Sequence, residues 1–183
     1  MTAASAQCPF ACNSGYLLNN LGQCATNANA RYLTCAANEV AVGVHGRTGA
    51  WFDALGVRCS AFSNGQRSGV VLSGTQVGGT GGGAFITDCG PNEVLQGVSG
   101  INGWNPSPSW CNGTNLSTAA LSCRDLSTGV VRTLPSTGGN GSCTSPKSTY
   151  AFSCPQGQAV RGLVVDSANT STYVGYMLGT SCR

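Results

Sequence analysis

The sequence predicts an all-β domain of three similar strand pairs, arranged around a pseudo-threefold axis and tied together by disulfide bonds. Three observations predict it. Charged residues are scarce and glycines abundant, the chain carries 11 cysteines, and one short cysteine-bracketed unit occurs three times. Each unit is too small to bury its own apolar face, so the three must share one core.

The composition favours strands over helices. Of 183 residues, 41% are hydrophobic and only 8% are charged, whereas about a quarter is usual in soluble domains. Exposed helices need charged outer faces, while short strands joined by tight turns suit the 27 glycines. The net charge of +3 comes from scattered residues, which argues against a nucleic-acid partner. No apolar run reaches the roughly 20 residues of a membrane span.

The cysteines indicate the compartment. No pair has C-x-x-C spacing, and the single histidine, His45, cannot complete a zinc site. Disulfides are therefore the better interpretation, and they predict a secreted, extracellular protein that matures in an oxidising environment. We expect neither a metal nor any other cofactor.

The repeated unit opens and closes on a cysteine. Cys35–Gly46 aligns with Cys89–Gly100, and a more divergent copy begins at Cys154 and stays in register through Gly162. In the first copy Val40, Val42 and Val44 alternate with small or polar residues, the period of a half-buried strand. An apolar stretch that ends in a second cysteine predicts the returning strand. We therefore predict the bridges Cys35–Cys59, Cys89–Cys123 and Cys154–Cys182, each stabilising by about 3 kcal/mol.

Five cysteines lie outside these bridges. Cys111 and Cys143 interrupt otherwise parallel units, so we predict that they pair with each other. Cys8 and Cys12 are too close along the chain to bridge comfortably, so Cys24 is expected to pair with Cys12. Cys8 is then the odd cysteine, with an intermolecular disulfide as its expected use.

The repeats define the domain organisation. We predict a single domain over residues 25–183, with repeats at about 25–60, 78–123 and 138–183 in the numbering of the sequence. Residues 1–24 are interpreted as a tethered edge segment that contains three of the cysteines.

Two segments resemble a known family. Gly43–Val57 and the glycine run Gly78–Phe85 are similar to signatures of the jacalin-related lectins. The resemblance implies a β-prism, three antiparallel Greek-key sheets with pseudo-threefold symmetry, here stabilised by disulfides. The cysteine-bracketed unit also resembles the vitelline membrane outer layer proteins, which share the prism. In this chain the Asp-containing segment precedes the glycine run, the reverse of the order in plant members.

The resemblance also implies a carbohydrate site. Its Asp-containing segment carries over onto Gly49, Ala50, Trp51, Phe52 and Asp53, with the Asp53 carboxylate accepting from sugar hydroxyls. The facing loop is Gly79 to Gly83, in which Gly79, Gly82 and Gly83 are the glycines implied in binding. The alternative is structural: Asp53 caps a tight hairpin, and Trp51 and Phe52 pack the prism. The other two units have no Asp at the matching place, so we expect one site.

The residues do not predict an enzyme. His45 has no nucleophile or orienting partner at a recognisable spacing. A glycosidase needs two facing carboxylates, and Glu39 and Glu93 occupy equivalent turn positions of two repeats. The sequence therefore predicts a secreted, non-enzymatic lectin whose partners are glycans or polysaccharide, with mannose- or glucose-type ligands favoured. The alternative is a structural coat, matrix or adhesive protein of the vitelline outer layer type.

Overall fold

The computed structural model describes residues 30–104, 113–139, 146–166, 174–175 and 177–182. These residues form strands and turns only, and none of them belongs to a helix long and apolar enough to cross a membrane. In chain order the strands are β1 (Ala30–Thr34), β2 (Glu39–Thr48), β3 (Phe52–Ser63), β4 (Gln66–Arg67), β5 (Leu72–Gly78), β6 (Gly83–Asp88), β7 (Glu93–Trp104), β8 (Gly113–Asp125), β9 (Val131–Thr133), β10 (Thr137–Gly138), β11 (Pro146–Ser153), β12 (Val160–Asp166) and β13 (Met177–Cys182).

The strands form three antiparallel sheets, as predicted. The first has the order β4-β3-β2-β6 with β5 also paired to β3, and the second has β10-β8-β7-β11 with β9 also paired to β8. The third contains β1-β12-β13. In the first sheet the order β6-β2-β3-β5 places the fourth strand beside the first, which is a Greek key.

The sheets exchange strands in a ring. Each unit contributes the central hairpin of one sheet, which is β2–β3, β7–β8 or β12–β13. The strand that leads into a unit instead pairs with the hairpin of the preceding unit: β6 with β2, β11 with β7, and β1 with β12. Because β1, the first strand, pairs with β12 of the last unit, the ring of three sheets is closed. The pseudo-threefold symmetry is thus built into the connectivity.

The same irregularity occurs in the first strand of every hairpin. The register shifts between Ala41 and Gly43, and likewise before Gly97 and Gly162. Each of these glycines faces a strand that enters from the next unit: a Cβ on Gly97 would lie 2.4 Å from the Phe152 carbonyl oxygen. Only glycine allows this close approach, which explains its presence at this place in all three units.

The bulge changes the predicted alternation of the first strand. Ala41 and Val44 belong to the main core, whereas Val40 and Val42 pack with Val94 and Ala159 in a second, smaller cluster. The three valines therefore do not share one face, because the inserted residue resets the period of two. The main core draws on all three sheets, as a shared core requires.

The three repeat disulfides are confirmed. Cys35–Cys59, Cys89–Cys123 and Cys154–Cys182 are bonded, each with a Cα–Cα distance of 5.6 Å. The predicted Cys111–Cys143 and Cys12–Cys24 pairs and the odd Cys8 lie outside the described residues, so these remain predictions. The edge segment over residues 1–24 lies outside them as well.

Candidate functional site

The site is built at the tip of the β2–β3 hairpin. The Gly49 N–H donates to the Trp51 carbonyl oxygen at 2.9 Å, and the Thr48 hydroxyl donates to the same oxygen at 3.0 Å. These two bonds close the turn, so the side chain that caps it is that of Thr48. Asp53 is the second residue of β3 rather than a loop residue, and it is half-buried.

The glycine loop, residues 79–82, connects β5 to β6 and crosses over this hairpin tip, because the Greek key places these two strands on opposite sides of the β2–β3 hairpin. β5 ends at Gly78 opposite Ala54 of β3, and β6 begins at Gly83 opposite Thr48 of β2. The connection must cross three strand spacings, about 14 Å, while five residue steps span at most about 17 Å. There is little slack, so the loop passes directly over the start of β3.

The loop lies against the Asp53 carboxylate. A Cβ on Gly81 would lie 2.4 Å from Asp53 Oδ1, and one on Gly82 would lie 2.5 Å from Oδ2. Gly82 also has a φ of +61°, a backbone conformation that disfavours any side chain. A Cβ on Gly49 would lie 3.7 Å from Oδ2. The backbone of Gly81 and Gly82 thus lies against the carboxylate, and a side chain at either position would push the loop away from it.

The main chain fixes the two segments to each other. The Gly79 N–H donates to the Asp53 carbonyl oxygen at 2.7 Å, and Gly79 is buried. Gly78 approaches the same carbonyl so closely that a Cβ would lie 2.1 Å from it. Gly79 therefore positions the loop with its N–H, while Gly81, Gly82 and Gly83 are exposed.

The aromatic residues of the tip have different roles. Phe52 is fully buried and packs edge-on against Phe85, with ring centroids 5.4 Å apart. Its carbonyl oxygen accepts from the Val174 N–H at 2.8 Å, which ties the tip to the third unit. The structural interpretation is thus right for the Phe52 side chain. Trp51 is half-buried and Ala50 is half-buried beside it.

The Asp53 carboxylate has spare acceptor capacity. Among the described residues, none donates a hydrogen bond to either of its oxygens or forms an ion pair with it. A carboxylate offers about four lone-pair sites. A half-buried carboxylate enclosed by glycine backbone is suited to accept from neutral hydroxyl donors that approach from solvent.

Comparison with solved structures identifies the architecture. The agglutinin of Calystegia sepium superposes with a TM-score of 0.54 at 18% sequence identity, over 98% of this chain and 99% of that one. Malaysian banana lectin superposes with a TM-score of 0.53 at 14% identity, over 86% and 91% of the two chains. The fold is a β-prism. No protein-family model and no curated sequence matches the chain.

A further solved structure was determined with a bound glycan. The Calsepa lectin, crystallised in complex with a biantennary N-glycan, superposes on the β-prism with a TM-score of 0.52 at 19% identity, over 98% of this chain and 99% of that one. At these identities the likeness concerns the fold. The site of this chain has to be argued from its own residues.

The β-prism places the other polar candidates in structural roles. His45 is half-buried over Gly56 in the first sheet, with Nε2 at 3.3 Å from the Gly74 carbonyl oxygen. Glu39 and Glu93 cap equivalent turns, accepting from the N–H groups of Ala36 at 3.0 Å and Gly90 at 2.6 Å. Among the described residues, no serine, threonine or cysteine side chain is hydrogen-bonded to His45, Glu39 or Glu93.

Glu93 also forms an ion pair with Arg132. Arg132 Nε lies 2.6 Å from its Oε1, and the hydrogen bonds from the Arg132 side chain hold the Glu93 pKa below its usual value. A general acid in a glycosidase needs a raised pKa. Glu39 and Glu93 each lie beside a disulfide, and those sulfurs are bonded to each other rather than free to hold a metal.

The sequence analysis did not predict one contact of the site, that of Arg47 with the glycine loop. Arg47 Nε donates to the Gly81 carbonyl oxygen and its Nη2 to the Gly82 carbonyl oxygen, both at 2.6 Å. Arg47 stands inside the segment that resembles the lectins, but nothing in a single sequence shows which residue a guanidinium will reach.

Proposed function

We propose that this protein is a secreted, non-enzymatic carbohydrate-binding protein with one glycan site in its first unit. The observation that carries the proposal is the glycine loop held against the Asp53 carboxylate, with Gly81 and Gly82 at distances that exclude any side chain. The three disulfides support an extracellular location, because such bonds persist in oxidising compartments.

The chemistry of the site suits a pyranose. A carboxylate accepts from two adjacent hydroxyls, and these charge-assisted hydrogen bonds are stronger than neutral ones. Exposed glycine backbone at Gly82 and Gly83 offers amide groups that a sugar ring can approach closely. The half-buried Trp51 ring stands two residues from Asp53 and supplies an apolar surface for a sugar face.

The ligand class is proposed from two sources. The resemblance of Gly43–Val57 to the jacalin-related lectins favours mannose- or glucose-type ligands. A structural neighbour has been crystallised with a biantennary N-glycan. We therefore propose glycans with exposed mannose or glucose residues, and galactose-terminated glycans serve as the comparison set.

A glycan array followed by calorimetric titration tests the proposal. Wild-type protein is expected to bind mannose- or glucose-terminated glycans, and Asp53→Asn should lower the affinity at least about thirtyfold because it removes a charged acceptor. The free energy of unfolding should change by less than about 0.5 kcal/mol, since no described residue relies on the carboxylate.

The matched control is Asp125→Asn. Asp125 is the last residue of β8, and its Oδ1 accepts from the Ser127 hydroxyl at 2.6 Å and from the Ser127 and Thr128 N–H groups at 2.9 and 2.8 Å in the turn that follows. The Ser127 hydroxyl first, and then these N–H groups, hold the Asp125 pKa well below its usual value. The control should alter turn stability and leave glycan binding intact. If the protein binds no glycan on the array and assembles into polymers, the lectin proposal is wrong and the structural coat protein is favoured.

A further inference from the structure

The glycine loop is fixed at its start by the Gly79 N–H, but among the described residues no backbone hydrogen bond holds Thr80, Gly81 or Gly82. Apart from Thr80, residues 79–83 have no side chain beyond the backbone, and glycine loses more conformational freedom on ordering than any other residue. A loop that is free in solution must be ordered at the moment of binding, which weakens affinity. A side chain that binds the middle of the loop would order it before a ligand arrives.

Arg47 is placed to do so. It lies in β2, the strand between β3, which bears Asp53, and β6, which receives the loop: Arg47 is opposite Ala54 on one side and Ala84 on the other. Its guanidinium donates to two successive carbonyl oxygens, those of Gly81 and Gly82, both at 2.6 Å. A planar fork that binds two acceptors defines direction as well as distance.

The two bonds orient the peptide planes of the loop. In a trans peptide the carbonyl and the following N–H point in opposite directions. Holding the Gly81 carbonyl therefore determines where the Gly82 N–H points, and holding the Gly82 carbonyl does the same for the Gly83 N–H. We propose that Arg47 is a positioning residue that pre-orders the glycine loop and thereby sets the affinity of the Asp53 site; this inference rests on the proposed function.

The other units lack this arrangement. The repeat position of Arg47 is occupied by Ile101 in the second unit and by Asp166 in the third. Neither side chain can donate to two carbonyl oxygens. Asp53 at the start of β3 and Arg47 in β2 belong to the same unit, as expected if the two residues serve the same site.

The test uses the full chain and three variants. Arg47→Met removes both bonds and should lower affinity for the best array glycan at least about tenfold. Arg47→Lys keeps the charge without the fork, so an intermediate loss is expected. Arg132→Met is the control, because Arg132 binds Glu93 in the second sheet; it should bind like wild type.

Hydrogen exchange supplies the readout that a general structural role would not change. In the glycan-free protein, Arg47→Met should speed amide exchange in residues 79–83 while leaving β7 and β12 protected. Saturating glycan should restore the protection. If Arg47→Met binds like wild type, or loses affinity without faster exchange in the loop, the positioning role is wrong and the lectin proposal stands. If wild type binds no glycan, the proposed function and the affinity role fail together, and loop exchange alone decides whether Arg47 orders the loop.

Discussion

Two equivalent stretches of the first and second units, at the start of β3 and within β8, share one frame and differ in chemistry. Gly46 and Gly100 occupy the same repeat position and pair with Leu55 and Ala119 of the returning strands. Counting back from these partners places Asp53 and Ser117 at equivalent sites. Asp53 is half-buried, whereas Ser117 is fully buried and its hydroxyl has no hydrogen-bond partner among the described residues.

The glycines that form the frame are kept in both units. Gly78 faces Ala54 and Gly138 faces Thr118, and both have positive φ, at 110° and 83°. A Cβ at either would collide with the main chain opposite. These two glycines are therefore required where the strands meet, and the carboxylate distinguishes the candidate site at Asp53 from the equivalent position at Ser117. A glycine run alone does not indicate binding.

The largest expected effect concerns the frame itself. Gly97→Val should destabilise the protein by at least about 3 kcal/mol or prevent folding, because the new side chain would meet the Phe152 carbonyl at the bulge and backbone cannot move aside cheaply. Equilibrium unfolding in denaturant measures this. Gly43→Val and Gly162→Val should behave alike, since the same bulge occurs in all three units.

Gly69→Val is the matched control for that series. No atom lies within 4 Å of a Cβ at Gly69, and no positive φ restricts it. Its unfolding free energy should stay within about 0.5 kcal/mol of wild type. A Gly97→Val protein as stable as this control would contradict the account of the shared frame.

The smallest expected effect concerns Ser117, the equivalent of Asp53 in the second unit. Ser117→Ala removes a buried hydroxyl that has no partner in the part of the chain that the structure describes, and such groups cost about 1–3 kcal/mol of desolvation. Since the cavity left by the oxygen offsets part of this, we expect a stabilisation of up to about 1 kcal/mol with unchanged glycan affinity. Thermal unfolding and titration measure the two quantities. A loss of glycan binding would mean that the region around Ser117 in the second unit takes part in the site.

Most of the frame was predictable from the sequence. The repeated spacing of cysteines sufficed for the three bridges, because one pairing satisfied all three copies. The exchange of strands between sheets could not be predicted, because nothing in the sequence of a leading strand such as β1 or β6 shows which sheet it joins. The bulge at Val42 was also hidden, because the valines alternate perfectly along the chain and only the neighbouring strand forces the extra residue.

The candidate site was predictable in its parts but not in its geometry. The resemblance pointed to Asp53 and the glycine run, and the reversed order of the two segments along the chain made their meeting uncertain. The β5–β6 crossover over the hairpin tip explains why they meet. Thr48 as the turn cap and Arg47 as the partner of the loop depend on side-chain direction in three dimensions, which a single sequence does not carry.

The central claim is that one hairpin tip, and not its equivalents, binds glycan. Amide chemical shifts followed during titration with methyl α-mannoside, with methyl α-glucoside in a parallel series, test it most directly. The account predicts shifts confined to residues 49–53 and 79–83 with a stoichiometry of one, and none at residues 115–119 or 138–139. Shifts centred on Ser117 and Gly138, or a second saturating site, would contradict it.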